Sequence, residues 1–162
     1  MDIAALLSPE RIKCETEISS KKRAFELLSA LLATGSEGLD ADAIFDALIN
    51  REKLGSTTIG NGVAIPHACL PISQATGALL LLEDGVKMDA PDKKPVQLFM
   101  AILAPSNQAP DYSDLITHLT SALLQKSLIE HLCQYRDAKL VQEYFCSLIN
   151  TANHPLEGVM AA

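Results

Sequence analysis

The sequence predicts one α/β domain, a sheet with helices packed against it, and three observations carry that expectation. Apolar residues recur at helical spacing in the first and last thirds of the chain, while two stretches in the middle are continuously apolar over strand lengths. Capping residues, prolines and glycines punctuate the same boundaries. The chain has 162 residues, 48% of them hydrophobic and 20% charged, the composition of a single globular core rather than of a disordered segment. A chain of this length buries about 70% of its unfolded surface.

Ser8-Pro9-Glu10 sets a capping residue before a proline at the first helical position, which predicts one short turn ahead of a strand over Ile12 to Glu15. From Ser20, a second capping residue, Ala24, Phe25, Leu27, Leu28, Leu31 and Leu32 fall on one helix face until Gly35 offers a stop. The next helix begins near Asp40. Its apolar face is Ala41, Ile44, Phe45 and Leu48, and it delivers Arg51 and Glu52 to its C-terminal end. Strands are predicted at Ala78 to Leu82, closed by the turn Glu83-Asp84-Gly85, and at Val96 to Leu103. Both are apolar enough for a sheet covered on two faces. The last third is helical in pattern, with capping residues at Asp111 or Ser113, at Ser127 and at Asp137, and periodic Leu115, Ile116, Leu119, Leu123, Leu140, Val141, Tyr144 and Phe145. Residues 1–150 form the expected domain and 151–162 a loose tail.

Several functional classes fall away on composition. The apolar runs Ala78 to Leu82 and Leu98 to Pro105 are far short of the roughly 20 residues that cross a bilayer, so no membrane insertion is expected. The opening Met1-Asp2-Ile3-Ala4-Ala5-Leu6-Leu7 lacks a basic stretch before a long apolar one, which points to the cytoplasm. A formal charge of −7 disfavours a phosphate backbone, and the one tight basic cluster, Lys21-Lys22-Arg23, reads as a solvated helix opening, so no nucleic-acid partner is expected. The four cysteines, Cys14, Cys69, Cys133 and Cys146, have no zinc-ligand spacing and read as reduced structural thiols. No metal and no cofactor is expected.

Chemistry concentrates in Gly55-Ser56-Thr57-Thr58-Ile59-Gly60-Asn61-Gly62-Val63-Ala64-Ile65-Pro66-His67. Glycines let a backbone approach a ligand and turn successive N–H groups inward, and hydroxyls add donors, a combination suited to an anion such as a phosphoryl group. The spacing matches neither G-x-G-x-x-G nor the P-loop, so a nucleotide site is not supported. Proline has no N–H, so Pro66 is expected to end the strand's hydrogen bonding and present His67 at its tip. A neutral imidazole offers a lone pair at one nitrogen while a hydrogen bond at the other fixes the tautomer, which makes His67 the candidate phosphoryl acceptor. Arg51 offers a planar fork, and Thr57 and Thr58 offer hydroxyls, to phosphoryl oxygens.

The run Arg51-Glu52-Lys53-Leu54-Gly55-Ser56-Thr57, continued through Ile59-Gly60-Asn61-Gly62-Val63-Ala64-Ile65-Pro66-His67, closely resembles the signature of fructose/mannitol-type EIIA domains of the bacterial phosphotransferase system. It is most similar to the free-standing nitrogen-regulatory branch, and the similarity extends from about Asp2 to Asn150. Lys21-Lys22, the Met88-Asp89-Ala90 to Pro95-Val96 approach and Leu103-Ala104-Pro105 support it. The resemblance implies a three-layer α/β/α sandwich with a mixed parallel and antiparallel sheet. It also implies that His67 accepts a phosphoryl group from an HPr-like phosphocarrier on the ring nitrogen remote from the backbone, with Arg51 at the phosphoryl group.

Two departures from the family pattern stand out. Thr58 occupies a position where relatives often carry glycine, which matters if a positive φ is required there. Relatives also carry a second histidine at the start of the helix after the last strand, where an ungapped reading places Tyr112, a hydrogen-bond donor without positive charge. His118 lies six residues on, roughly 120° around the helix and about 9 Å along it, and is the candidate second histidine only if the helix is shifted. His131 and His154 read as surface residues. His67 and Cys69 share a strand face by alternation, but two groups make no metal site. Three functions follow from these readings: a phosphohistidine carrier that regulates partner proteins, a sugar-specific EIIA that hands the group to an EIIB component, and a docking module without phosphorylation.

Overall fold

A computed structural model describes residues 6–15, 18–35, 38–124, 128–134 and 137–153. The strands are β1 (Ile12–Glu15), β2 (Thr58–Gly60), β3 (Val63–Ala64), β4 (His67–Leu70), β5 (Thr76–Val86) and β6 (Val96–Pro105). The helices are α1 (Lys21–Ala33), α2 (Ala41–Leu54), α3 (Ala109–Leu123), α4 (Leu128–Gln134) and α5 (Ala138–Asn153). All six strands form one sheet in the order β1-β5-β6-β3-β2, with β4 also paired to β6. It is mixed: β1 runs parallel to β5, β3 and β4 run parallel to β6, and β5–β6 and β2–β3 are antiparallel.

Strand alternation divides the core into two layers. Leu79, Leu81, Leu98, Met100, Ile102 and Ile65 face Leu115, Leu119, Leu132, Val141 and Phe145 of α3 to α5. Their neighbours Ala78, Leu80, Phe99, Ala101, Leu103 and Ala64 face Phe25, Leu28, Leu32, Ile44 and Leu48 of α1 and α2. The central strands are therefore buried on both faces, as their unbroken apolar runs predicted, and the sandwich has the expected three layers.

The cap residues act as expected at three helices. The Ser20 side chain accepts from Arg23 N–H, Asp40 from Ala43 N–H, and Asp137 from Lys139 N–H. Other boundaries differ from the sequence reading. The Ser8 hydroxyl makes no cap bond to the 3-10 turn Pro9–Arg11. Strand β5 does not close at Glu83-Asp84-Gly85. It passes through an irregularity between Leu81 and Val86, where Gly85 has φ +74°, and pairs with β6 again at Val86. Five steps along β5 there face two along β6, and Gly85 supplies the positive φ that this excursion needs. Helix α3 is already under way at Ala109, so neither Asp111 nor Ser113 starts it, and α5 runs to Asn153, three residues into the expected tail. Ser127 lies outside the described residues.

Candidate functional site

His67 does not end a strand. Pro66 removes one donor, but its carbonyl accepts from Ile102 N–H at 2.9 Å, and pairing with β6 resumes at once, His67 opposite Ile102 and Leu70 opposite Pro105. Strands β3 and β4 are thus one line of chain interrupted by a single missing N–H. The His67 ring is half-buried and turns back along this line, so that Nδ1 lies 2.6 Å from the Ile65 carbonyl oxygen. A carbonyl only accepts, so Nδ1 carries the proton and Nε2 carries the lone pair. Burial is the largest influence on the ring and pushes its pKa below the ordinary value. The Ile65 hydrogen bond opposes that shift, the Arg51 cation adds to it, and the Glu52 carboxylate opposes it. The net result keeps the imidazole neutral, and hence nucleophilic, at neutral pH.

Arg51 and Glu52 come from the C-terminal part of α2, the helix that packs against β4. Arg51 Nη1 donates to Gly55 O at 2.8 Å. Glu52 is 7% exposed, and its carboxylate receives Thr57 N–H at 3.2 and 3.3 Å and the Thr57 hydroxyl at 2.5 Å. Thr57 O in turn accepts from Ile65 N–H at 3.0 Å. Two consecutive helix residues therefore hold the Gly55–Thr57 loop, and Ile65 joins that loop to His67. The sequence reading placed Glu52 at this helix end and gave it no role. Its signal was the hydroxyl-rich run five residues on.

The expected phosphoryl-binding set is only partly assembled. Arg51 stands in electrostatic reach of His67, and Thr57 lies on the same strand edge, with both of its donors held by Glu52. Thr58 is directed elsewhere: its hydroxyl donates to Asp89 O at 2.8 Å and shares a contact of 2.8 Å with Ser56 Oγ. Ser56 and Thr58 line an open hollow of about 620 Å³ with Lys87, Met88, Asp89 and Lys93, and His67 lies outside it. Thr58 has no positive φ and simply opens β2, so a residue other than glycine fits there.

Asn61 (φ +56°) and Gly62 (φ +78°) are the two loop residues of the β2–β3 hairpin, and positive φ at both is the mark of a type I′ turn. Asp92 and the Leu124 carbonyl hold Asn61 there, at 2.8 and 3.1 Å. Five residues of extended chain put this turn about 16 Å from His67.

That anchor also orients α3. Its C-terminal end meets the hairpin, so its N-terminal turn lies toward the other end of the sheet, where β4 runs. The backbone of Tyr112 is in that N-terminal part; its side chain is outside the described residues. His118 is half-buried in the middle of α3, His131 is exposed and stacked on Tyr144 with ring centroids 5.8 Å apart, and His154 lies outside the described residues. Cys69 is exposed on β4. Among the described residues, no group of three or more His, Cys, Asp or Glu side chains is placed to hold a metal ion, and no helix is long and apolar enough to cross a membrane.

A mixed sheet between helical layers, with an Ile-Pro-His line that locks one imidazole tautomer at a strand edge, defines a histidine-centred α/β domain. Residues 5–147 match the sequence model described as the phosphoenolpyruvate-dependent sugar phosphotransferase system, EIIA 2, and the chain belongs to that family. It is 35% identical over 153 residues to a nitrogen regulatory protein homolog from Haemophilus influenzae, covering 90% of this chain and 91% of that one. It is 30% identical over 149 residues to a fructose-specific EIIA component from Haloferax volcanii, covering 91% and 97%. The crystal structure of the nitrogen regulatory protein IIA-Ntr from Neisseria meningitidis matches with a TM-score of 0.81 at 38% identity, covering 88% of this chain and 98% of that one.

Proposed function

We propose that this protein is a phosphohistidine carrier of the nitrogen-related phosphotransferase system, loaded at His67 by an HPr-like phosphocarrier and controlling partner proteins through its phosphorylation state. The single observation that carries the reading is the 2.6 Å bond from Nδ1–H to Ile65 O, which leaves the nucleophilic lone pair on Nε2 of a half-buried ring. In the transfer, the Nε2 lone pair attacks phosphorus. A new P–N bond forms as the bond from phosphorus to the carrier's imidazole nitrogen breaks, and that bonding pair returns to the carrier. Ile65 O keeps the Nδ1 proton in place while the ring becomes cationic, and Arg51 offsets part of the arriving charge. The modification adds about −2 charge at a protein surface, which alters which partners dock. Leu54, 86% exposed three residues beyond Arg51, supplies an apolar contact for the docked carrier.

Incubation with phosphoenolpyruvate and the two upstream relay proteins, followed by intact mass measurement, tests this. One acid-labile phosphoryl group is expected in the wild type and none in His67→Ala. A folded wild-type protein that stays unmodified would leave the docking-module reading in its place. The likeness to a fructose-specific component favours a second reading, in which the group passes on to an EIIB component during sugar uptake. Rapid transfer from the phosphorylated protein to an EIIB domain would select it.

A further inference from the structure

We propose that Glu52 stands in for the phosphoryl group: its carboxylate holds the Thr57 N–H and O–H while His67 is bare, and gives up both donors to phosphoryl oxygens when His67 is modified. The inference rests on His67 being the acceptor and adds to it a switch in the loop beside it.

The first support is the chemistry of Glu52. A buried carboxylate is costly unless it is paired or hydrogen-bonded. Among the described residues no ion pair reaches Glu52, and its neighbour Arg51 turns to Gly55 O instead. Among the described residues Thr57 alone satisfies it, with an N–H and an O–H converging from one residue. Two adjacent donors aimed at one anionic oxygen pair suit a phosphoryl group equally well.

The second support is position. A strand residue points its N–H and its C=O to the same edge. At Ile65 the N–H meets Thr57 O and the C=O meets His67 Nδ1, so Thr57 and the imidazole flank the same residue on the same edge. Glu52 and Arg51 also both act electrostatically on the ring. Phosphorylation would bring about −2 charge to this edge. Repulsion weakens the hold of Glu52 on Thr57, while the same charge attracts Thr57's donors and Arg51. Since Arg51 and Glu52 hold opposite ends of Gly55–Thr57, exchange of these bonds moves the exposed segment Leu54–Ser56, a surface that a partner can read.

The test is an amide spectrum of the full chain before and after phosphorylation by the relay proteins, joined to the transfer equilibrium of Glu52→Gln and Thr57→Val. The Thr57 amide is expected to shift more than other amides outside the His67 strand. Glu52→Gln is expected to move the equilibrium about tenfold toward the phosphorylated protein, the scale of one charge-assisted hydrogen bond, and Thr57→Val, which loses the hydroxyl bond in both states, to move it much less. A merely structural Glu52 would lower the unfolding temperature and leave both readouts alone. A wild type that takes a phosphoryl group at His67 while the Thr57 amide stays still, with Glu52→Gln at the wild-type equilibrium, would overturn the exchange and spare the carrier reading. Failure of the wild type to accept the group would overturn both. If Glu52→Gln does not fold, the wild-type amide shift decides alone.

Discussion

Two parts of the Gly55–His67 segment are alike in composition and unlike in task. Its first part, Gly55-Ser56-Thr57, is tied by Arg51 and Glu52 to the edge where His67 sits. Its second part, Gly60-Asn61-Gly62, is a hairpin turn held by Asp92 and Leu124 at the far end of the short strands. Both parts are small and polar, and both suit an anion cradle on composition alone. The difference teaches that glycine marks an unusual backbone demand, whereas the reason for the demand depends on where the strands carry it.

Substitutions in each part should separate chemistry from folding. His67→Ala is expected to abolish phosphoryl uptake in the mass assay while costing only about 1 kcal/mol of stability, the worth of its bond to Ile65 O. Arg51→Ala is expected to slow uptake about 10- to 100-fold, the scale of a hydrogen bond to a charged group, with little change in unfolding temperature. It should also raise the ring's pKa part of the way back toward its ordinary value, because the cation adds to a depression caused mainly by burial. A ring titration by NMR measures this.

Gly62→Ala should do the reverse. An alanine at φ +78° costs about 1–2 kcal/mol, and its Cβ would stand 2.8 Å from Ile129 Cδ1. The unfolding temperature is expected to drop by about 2–8 °C with the uptake rate unchanged. A Gly62→Ala protein that is stable but slow would merge the two parts again and restore the anion cradle.

The pH dependence sharpens the same contrast. In the unfolded chain His67 takes up its proton near pH 6.5, and in the fold only at lower pH, because burial disfavours the cation. Its contribution to stability is therefore fully present above that unfolded value and is lost as the pH falls through the folded one. Denaturant unfolding of wild type and His67→Ala across this window should diverge above it and converge below. The smallest effect is expected at Leu54→Ala, a few-fold weaker engagement of the carrier with no change in uptake from the small chemical donor phosphoramidate.

Much of the architecture was legible because local rules dictated it. Ser20, Asp40 and Asp137 cap where their side chains predict, and the apolar runs through Leu80 and Phe99 fill a doubly covered sheet. The strand break at Pro66 was also legible, but not its repair, since the Pro66 carbonyl needs Ile102 from a strand 36 residues on. The Asn-Gly turn carried its own signal, and the attraction of a phosphate cradle outweighed it.

By itself, the sequence determined the starts of three helices, the two-faced sheet and the family, since each rests on residue type and spacing along the chain. Only the tertiary structure decided which ring nitrogen bears the proton, that Thr57 spends both donors on Glu52, and that Thr58 turns to Asp89. Those facts are competitions among hydrogen-bond partners, and a donor's choice is settled only when packing brings the acceptors within reach.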